Sequence, residues 1–202
     1  MKIKKLFIVL LGIGGTLLYS CKNEKSSFEP VENSAKVEWT AYKTTEKLPV
    51  KGTFESVDLI NLSEGKSIED FLNNAEFSIR ALELSTGDPS RDEKIKNSFF
   101  GLMNEAGKIS GKFIFENHQW TIKLRMNGVS VNNIPAEIQF KDNLLSVKSS
   151  IDLKDFKALK ALEVLNSVCF DLHKGVDGIS KVWENVDIHA SVKLKETKRT
   201  PY

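Results

Sequence analysis

The sequence predicts an all-β domain, an eight-stranded antiparallel barrel carrying two short amphipathic helices. Three observations predict it. Apolar residues recur at every second position in eight separate runs, short turn sequences separate consecutive runs, and only two stretches show a helical period instead. A period of two puts one face of each strand in a core and the other in water, the pattern of antiparallel sheets. Eight such strands must hide their edges, and closure into a barrel removes edges altogether.

The runs are legible in order. Val37, Trp39 and Ala41 alternate with polar neighbours, as do Val50, Gly52 and Phe54. Ala75 to Ala81 forms a third run, Ile109 to Phe115 a fourth and Trp120 to Met126 a fifth. Ile134 to Phe140, Leu145 to Leu153 and Val186 to Leu194 complete the set. Glu116-Asn117-His118-Gln119, Asn127-Gly128 and Asp142-Asn143 separate consecutive runs as hairpin connections. The first helix is expected in Pro89 to Met103, where Ser90 and Glu93 form a capping-box pattern before Ile95 and Phe99. The second is expected in Asp152 to Leu165, with Asp152 as cap and Phe156, Leu159, Leu162 and Leu165 on one face.

The N-terminal segment has a different character. Lys2, Lys4 and Lys5 precede an apolar run from Leu6 to Leu18, too short for a confident membrane span. The run closes on Leu18-Tyr19-Ser20-Cys21, which resembles a bacterial lipoprotein signal, with Leu18 three residues before an acylated Cys. That resemblance implies export, removal of residues 1–20 and lipidation at Cys21, two acyl chains sufficing for stable membrane anchoring. The polar residues 21–34, with Pro30, read as a flexible tether. Residues 35–196 then form the domain and 197–202 a C-terminal tail. The expected location is the cell envelope, at its periplasmic face or the cell surface. Taking Lys2, Lys4 and Lys5 from the 29 basic residues leaves 26 against 27 acidic ones, so the mature domain has no electrostatic footprint for nucleic acid. With Cys21 lipidated, Cys169 has no intramolecular partner.

Several segments together resemble the YceI-like family of polyisoprenoid-binding proteins. They are Val37-Glu38-Trp39-Thr40-Ala41-Tyr42-Lys43 with Val50-Lys51-Gly52-Thr53-Phe54, the stretch Thr86-Gly87-Asp88-Pro89-Ser90-Arg91-Asp92 running to Ser98-Phe99-Phe100, and Met126-Asn127-Gly128-Val129. The resemblance implies a lipocalin-like barrel that holds a long isoprenoid chain inside and is not an enzyme. Two departures stand out. Lys94 occupies a position where the family often has His, and Ser150 to Phe156 lacks the Arg and Gly of a late family element.

The inward residues Trp39, Phe54, Phe77, Phe99, Phe113, Phe115, Ile122 and Leu124 are the candidate walls of an apolar tunnel, with Arg91 and Lys94 as candidate head-group contacts. Alternation alone does not decide between a hollow barrel and one filled by its own side chains. Gly52 and Gly111, both inward, are compatible with strand curvature or with interior room. Asp92 in a first helical turn suits the helix dipole, and Arg91 is as readily a structural tie. Cys169 and His173, four apart, have the spacing of a metal pair or a thiolate–imidazole dyad, but no further ligand is near in sequence. No catalytic motif appears, and no cofactor or metal is called for. The leading expectation is non-enzymatic binding of a long-chain amphiphile, an isoprenoid quinone or polyprenyl lipid. The alternative is a filled-barrel envelope lipoprotein that binds a protein partner through an exposed apolar patch. A weaker third is a thiol enzyme, which requires an exposed Cys169.

Overall fold

The computed structural model describes residues 25–199. The eight alternating runs all lie on strands: β2 (Lys36–Lys43), β3 (Leu48–Phe54), β5 (Glu76–Arg80), β7 (Lys108–Glu116), β8 (Gln119–Met126), β9 (Val129–Lys141), β10 (Leu144–Asp152) and β11 (Asn185–Arg199). Three further strands add to them, β1 (Lys25–Pro30), β4 (Val57–Ile60) and β6 (Leu84–Ser85). The three helices are α1 (Ile68–Leu72), α2 (Pro89–Ser98) and α3 (Leu159–Val168).

Every strand pairing is antiparallel, in the order β4-β5-β7-β8-β9-β10-β11-β2-β3-β6. The order returns to its start through the chain itself. β3 and β4 are consecutive, with only Glu55 and Ser56 between them; β3 pairs with β2, and β4 pairs with β5. Counting that bent stretch as one staves the barrel with eight strands. The bend is held by backbone bonds from Glu55 N–H to Glu83 O and from Arg80 N–H to Ser56 O.

The three hairpin turns each place two residues in the left-handed region: Asn117 and His118, Asn127 and Gly128, Asp142 and Asn143. Such two-residue turns match the right-handed twist of the flanking strands. A bulge in β9 explains why its alternation is visible only from Ile134. Leu124 opposes Val131 while Ile122 opposes Ile134, so β9 gains a residue at this point, and Asn133 has a φ of 59°.

Gly52 and Gly111 lie directly opposite aromatic residues, Trp39 and Phe77. A Cβ on Gly52 would fall 2.2 Å from Trp39 Cζ2, and one on Gly111 would fall 2.3 Å from Phe77 Cζ. The glycine spaces are therefore occupied by rings folded across the strands, not left open inside the barrel.

Four expectations are corrected. Residues 25–30 of the expected tether form β1, paired with Leu194–Arg199 of β11, and Phe28 packs edge-on against Phe71 and Phe140. Part of the expected tail, 197–199, belongs to the same pairing. The cap of α2 is Asp88, not Ser90: its carboxylate accepts from Ser90 and Arg91 N–H, and Pro89 supplies the first helical residue. The second helix starts at Leu159, because Asp152 accepts from Lys154 N–H and turns the chain before Phe156. The signal segment and Cys21 lie outside the described residues.

Beta1 and α1 close one end of the barrel. Phe71 and Leu72 of α1 are each 1% exposed. Asn73 Oδ1 after the helix accepts from Phe115 N–H, and Asn74 N–H donates to Phe113 O, fixing α1 across β7. The opposite end is covered by α2 and α3.

Candidate functional site

A cavity of about 430 Å³ opens within the barrel beneath α2 and α3. This lies within the roughly 300–1,000 Å³ range of small-ligand sites. Its strand walls include Trp39, Val50, Phe54, Met126 and Ile188. Its roof comes from Ile95 and Phe99 at α2, Leu162 and Leu165 of α3, and Cys169. Trp39 Nε1 is buried and has no hydrogen-bond acceptor among the described residues. A buried donor of this kind is uncommon in folded proteins.

The helical roof is pinned to the barrel by hydrogen bonds. Thr86 donates to Asp92 Oδ1 through both its N–H and its hydroxyl, at 2.8 and 2.6 Å, so Asp92 ties the first turn of α2 to the end of β6. Asn127, in the β8–β9 turn, accepts from Asn104 N–H and donates to the carbonyls of Phe156 and Lys157. One side chain thus holds the segments after α2 and before α3. The sequence marked Asn127 only as a turn residue; its clamp depends on partners far along the chain.

The expected tunnel residues divide between two levels. Trp39, Phe54 and Phe99 line the cavity. Phe77, Phe113, Phe115, Ile122 and Leu124 do not: Phe113 and Ile122 are buried core, and the other three are half-buried. Phe77 packs on Phe113, and Phe115 on Trp120. They sit toward the end closed by β1 and α1. The barrel is therefore solid at one end and hollow at the other.

The mouth lies between the N-terminus of α2 and the turn after α3. Asp88, Ser90, Arg91 and Lys94 border it on one side, Leu172 and His173 on the other. Both candidate head-group residues are thus at the cavity edge. Arg91 sits 3.6 Å from Asp88, and both are substantially exposed. Lys94 makes no ion pair or hydrogen bond with any described residue. Lys43 donates to Leu172 O across the mouth.

Cys169 and His173 do not form a dyad or a metal pair. Cys169 is 6% exposed at the end of α3, which overturns the thiol-enzyme expectation. His173 Nδ1 is 2.9 Å from Asn166 Oδ1, and Asn166 also accepts from the Ser180 hydroxyl. Among the described residues no group of three or more His, Cys, Asp or Glu is placed to hold a metal.

Burial, and secondarily the charge of Lys43, push the His173 pKa down to about 4. An unfolded histidine titrates near 6.5. As pH falls from about 6.5 towards 4, the unfolded chain takes up the proton first, so stability declines through that window and is unaffected above it. We expect His173→Gln to flatten this part of the stability–pH curve in urea unfolding at pH 7 and pH 5. Equal losses in both proteins would show that His173 is not the titrating group.

The YceI-like domain model matches residues 26–194, nearly all of the described chain. The chain belongs to the YceI-like domain family. The match begins inside β1, in agreement with that strand being part of the domain. No curated protein matches the sequence at a significant level. Among solved structures, this YceI-like chain is similar to a polyisoprenoid-binding domain from Saccharophagus degradans implicated in plant cell wall breakdown. The TM-score is 0.61 at 11% identity, covering 86% of this chain and 99% of that one. It is also similar to BcnA of Burkholderia cenocepacia, with a TM-score of 0.54 at 12% identity, covering 83% and 99%. At these identities the likeness concerns the fold, a lipocalin-like antiparallel barrel.

Proposed function

We propose that this YceI-like domain is a binding protein, not an enzyme, and that its cavity takes the apolar chain of a long-chain amphiphile, an isoprenoid quinone or polyprenyl lipid. The observation that carries the reading is the division of the barrel: one end is packed solid, while the other holds an apolar-walled cavity whose mouth carries unneutralised positive charge. A filled-barrel scaffold has no use for such a space. The similarity to a polyisoprenoid-binding domain supports the same ligand class. Arg91 and Lys94 would receive an anionic head group, Lys94 being the freer of the two. We further propose that Cys21 carries lipid and holds the domain at the cell envelope.

Trp39 and Trp183 both line the cavity, so ligand binding is readable from intrinsic fluorescence. We expect Arg91→Gln combined with Lys94→Gln to weaken binding of a polyprenyl phosphate by at least about tenfold, the loss of one charge-assisted hydrogen bond or more. Binding of the uncharged polyprenol should change little. Equal weakening of both ligands would mean that the pair shapes the mouth and does not contact a head group. Failure of every prenyl compound to bind would refute the reading itself.

A further inference from the structure

The rim of the cavity mouth has an unusual surface. Ten large apolar side chains are exposed among the described residues, and six of them belong to this end of the barrel: Leu48, Val168, Phe170, Leu172, Val176 and Ile179. Val176 is 98% exposed, at the tip of a small hairpin closed by the Lys174–Ser180 bridge. The hairpin is built, not loose. Gly175 N–H donates to Ile179 O, and Gly178 N–H to Gly175 O. Glu46, in the β2–β3 turn, accepts from Val176 N–H, and so joins the turn before Leu48 to the hairpin tip. Leu172, from the same stretch, borders the cavity directly.

Lysines and aromatic rings flank these apolar tips. Lys174 Nζ lies 4.8 Å from the Phe170 ring centre, and Lys181 Nζ 3.6 Å from that of Trp183. Lys47 Nζ lies 4.8 Å from Tyr42 and 5.2 Å from Trp183. Three acidic groups are held within the rim: Glu46 accepts from Val176 N–H, Asp171 pairs with Lys174, and Asp177 accepts from Ile179 N–H. Apolar tips with aromatic rings and lysines behind them are the composition of a membrane–water interface, where rings sit at head-group depth and lysines reach back to water. An apolar patch of this kind has to be covered by something.

We propose that this rim is a bilayer-docking surface: Val176, Ile179, Phe170 and Leu172 enter the outer acyl region of a phospholipid bilayer, with Lys47 and Lys181 at the phosphates. Docking there sets the cavity mouth against the lipid, so that a chain passes between bilayer and barrel without crossing water. Lys25 pairs with Arg199 at the closed end, so the bilayer met by the rim is one that faces the domain from the side opposite the Cys21 anchor. That purpose rests on the ligand reading above; the docking itself rests on the rim alone. The choice of a bilayer over a protein follows from the pairing of apolar tips with ring-stacked lysines and from the position of the patch around an apolar cavity.

The test uses the chain with Cys21→Ser, so that no acyl anchor forms at the closed end, and with single tryptophans added at opposite ends of the barrel, Val176→Trp at the rim and Lys141→Trp at the closed end. Both sites are exposed. Each protein is mixed with vesicles of phosphatidylcholine and phosphatidylglycerol, with and without bromine on the acyl chains. We expect the Val176→Trp emission to shift to the blue and to lose intensity to the brominated lipid, with Lys141→Trp giving only the response of the parent chain. Equal quenching at both positions, as for a chain held by another segment alone, would overturn the proposal, as would no added quenching at either. A blue shift that grows with protein concentration in the absence of vesicles would assign the rim to a second copy of the chain and also overturn it. Prenyl ligand binding by Val176→Asp, Ile179→Asp tests the other reading separately: binding retained with docking lost places the effect at the rim, and docking without any ligand binding by the parent chain leaves the rim proposal standing and removes the cavity one.

Discussion

Phe71→Ala is expected to destabilise the domain by about 3–5 kcal/mol, the range for emptying a buried phenylalanine site. Phe71 is 1% exposed and sits on the five-residue helix α1, which seals the closed end of the barrel against Phe28 of β1. Its ring packs edge-on against Phe28, which is itself held against Phe140 of β9, so the cavity left behind has little freedom to collapse. Whole domains are stable by only about 5–15 kcal/mol, so the loss would be a large fraction of the total. Urea unfolding would read it as a lower midpoint. A change below about 1 kcal/mol would mean that this end is not the packed plug described here.

Filling the open end should have the opposite profile. Val50 faces inward on β3, two residues from Gly52, and lines the cavity. Val50→Trp places an indole in the space proposed for the ligand chain. We expect ligand affinity to fall by at least about tenfold, equivalent to roughly 1.4 kcal/mol, with the unfolding midpoint nearly unchanged. Ile122→Trp, which inserts the same ring into the solid part of the barrel, should cost about 1–3 kcal/mol through overpacking. Ligand affinity is read by calorimetry, since the added tryptophans alter fluorescence. Similar destabilisation by both substitutions would contradict the division of the barrel into hollow and filled levels.

The contrast between these two positions also marks what the sequence makes legible. Alternation is a local property, so the eight main strands and their two-residue turns are readable from residues such as Val37, Trp39 and Ala41 or from Asn127-Gly128. Alternation tells which side of a strand faces inward. It does not tell how far along the barrel a residue sits or what lies above it. Phe54 and Phe113 are equivalent on the pattern, yet one lines the cavity and the other is packed core. The difference is set by what closes each end, and those closures are non-local.

The elements that close the barrel are the ones hardest to read. Beta1 presents a single apolar residue, Phe28, between polar neighbours, and takes its order from β11, some 170 residues away. Alpha1 is little more than one turn, too short for a 3.6-residue period to register. Beta4 has four residues. The helix near Pro89 was visible, but Ser90 and Glu93 offered a capping pattern that Asp88 and Pro89 outcompete, since proline at the first helical position puts the cap one residue earlier. Arg91 and Lys94 do lie at the cavity edge, because the first turn of α2 is held there by Asp92 and Thr86. The apolar rim was not legible, since Phe170, Leu172, Val176 and Ile179 share no regular period and gather through the Lys174–Ser180 and Lys43–Val182 bridges.

A lipid chain held in the hollow end of this YceI-like domain should stay with the protein through gentle purification. Native mass spectrometry of the chain, expressed in a bacterial envelope and released gently from it, tests this most directly, paired with extraction and identification of any bound lipid. We expect a stoichiometric adduct of isoprenoid size that is lost in Val50→Trp. Protein that is reproducibly empty, and stays empty when offered isoprenoid quinones and polyprenyl phosphates, would contradict it.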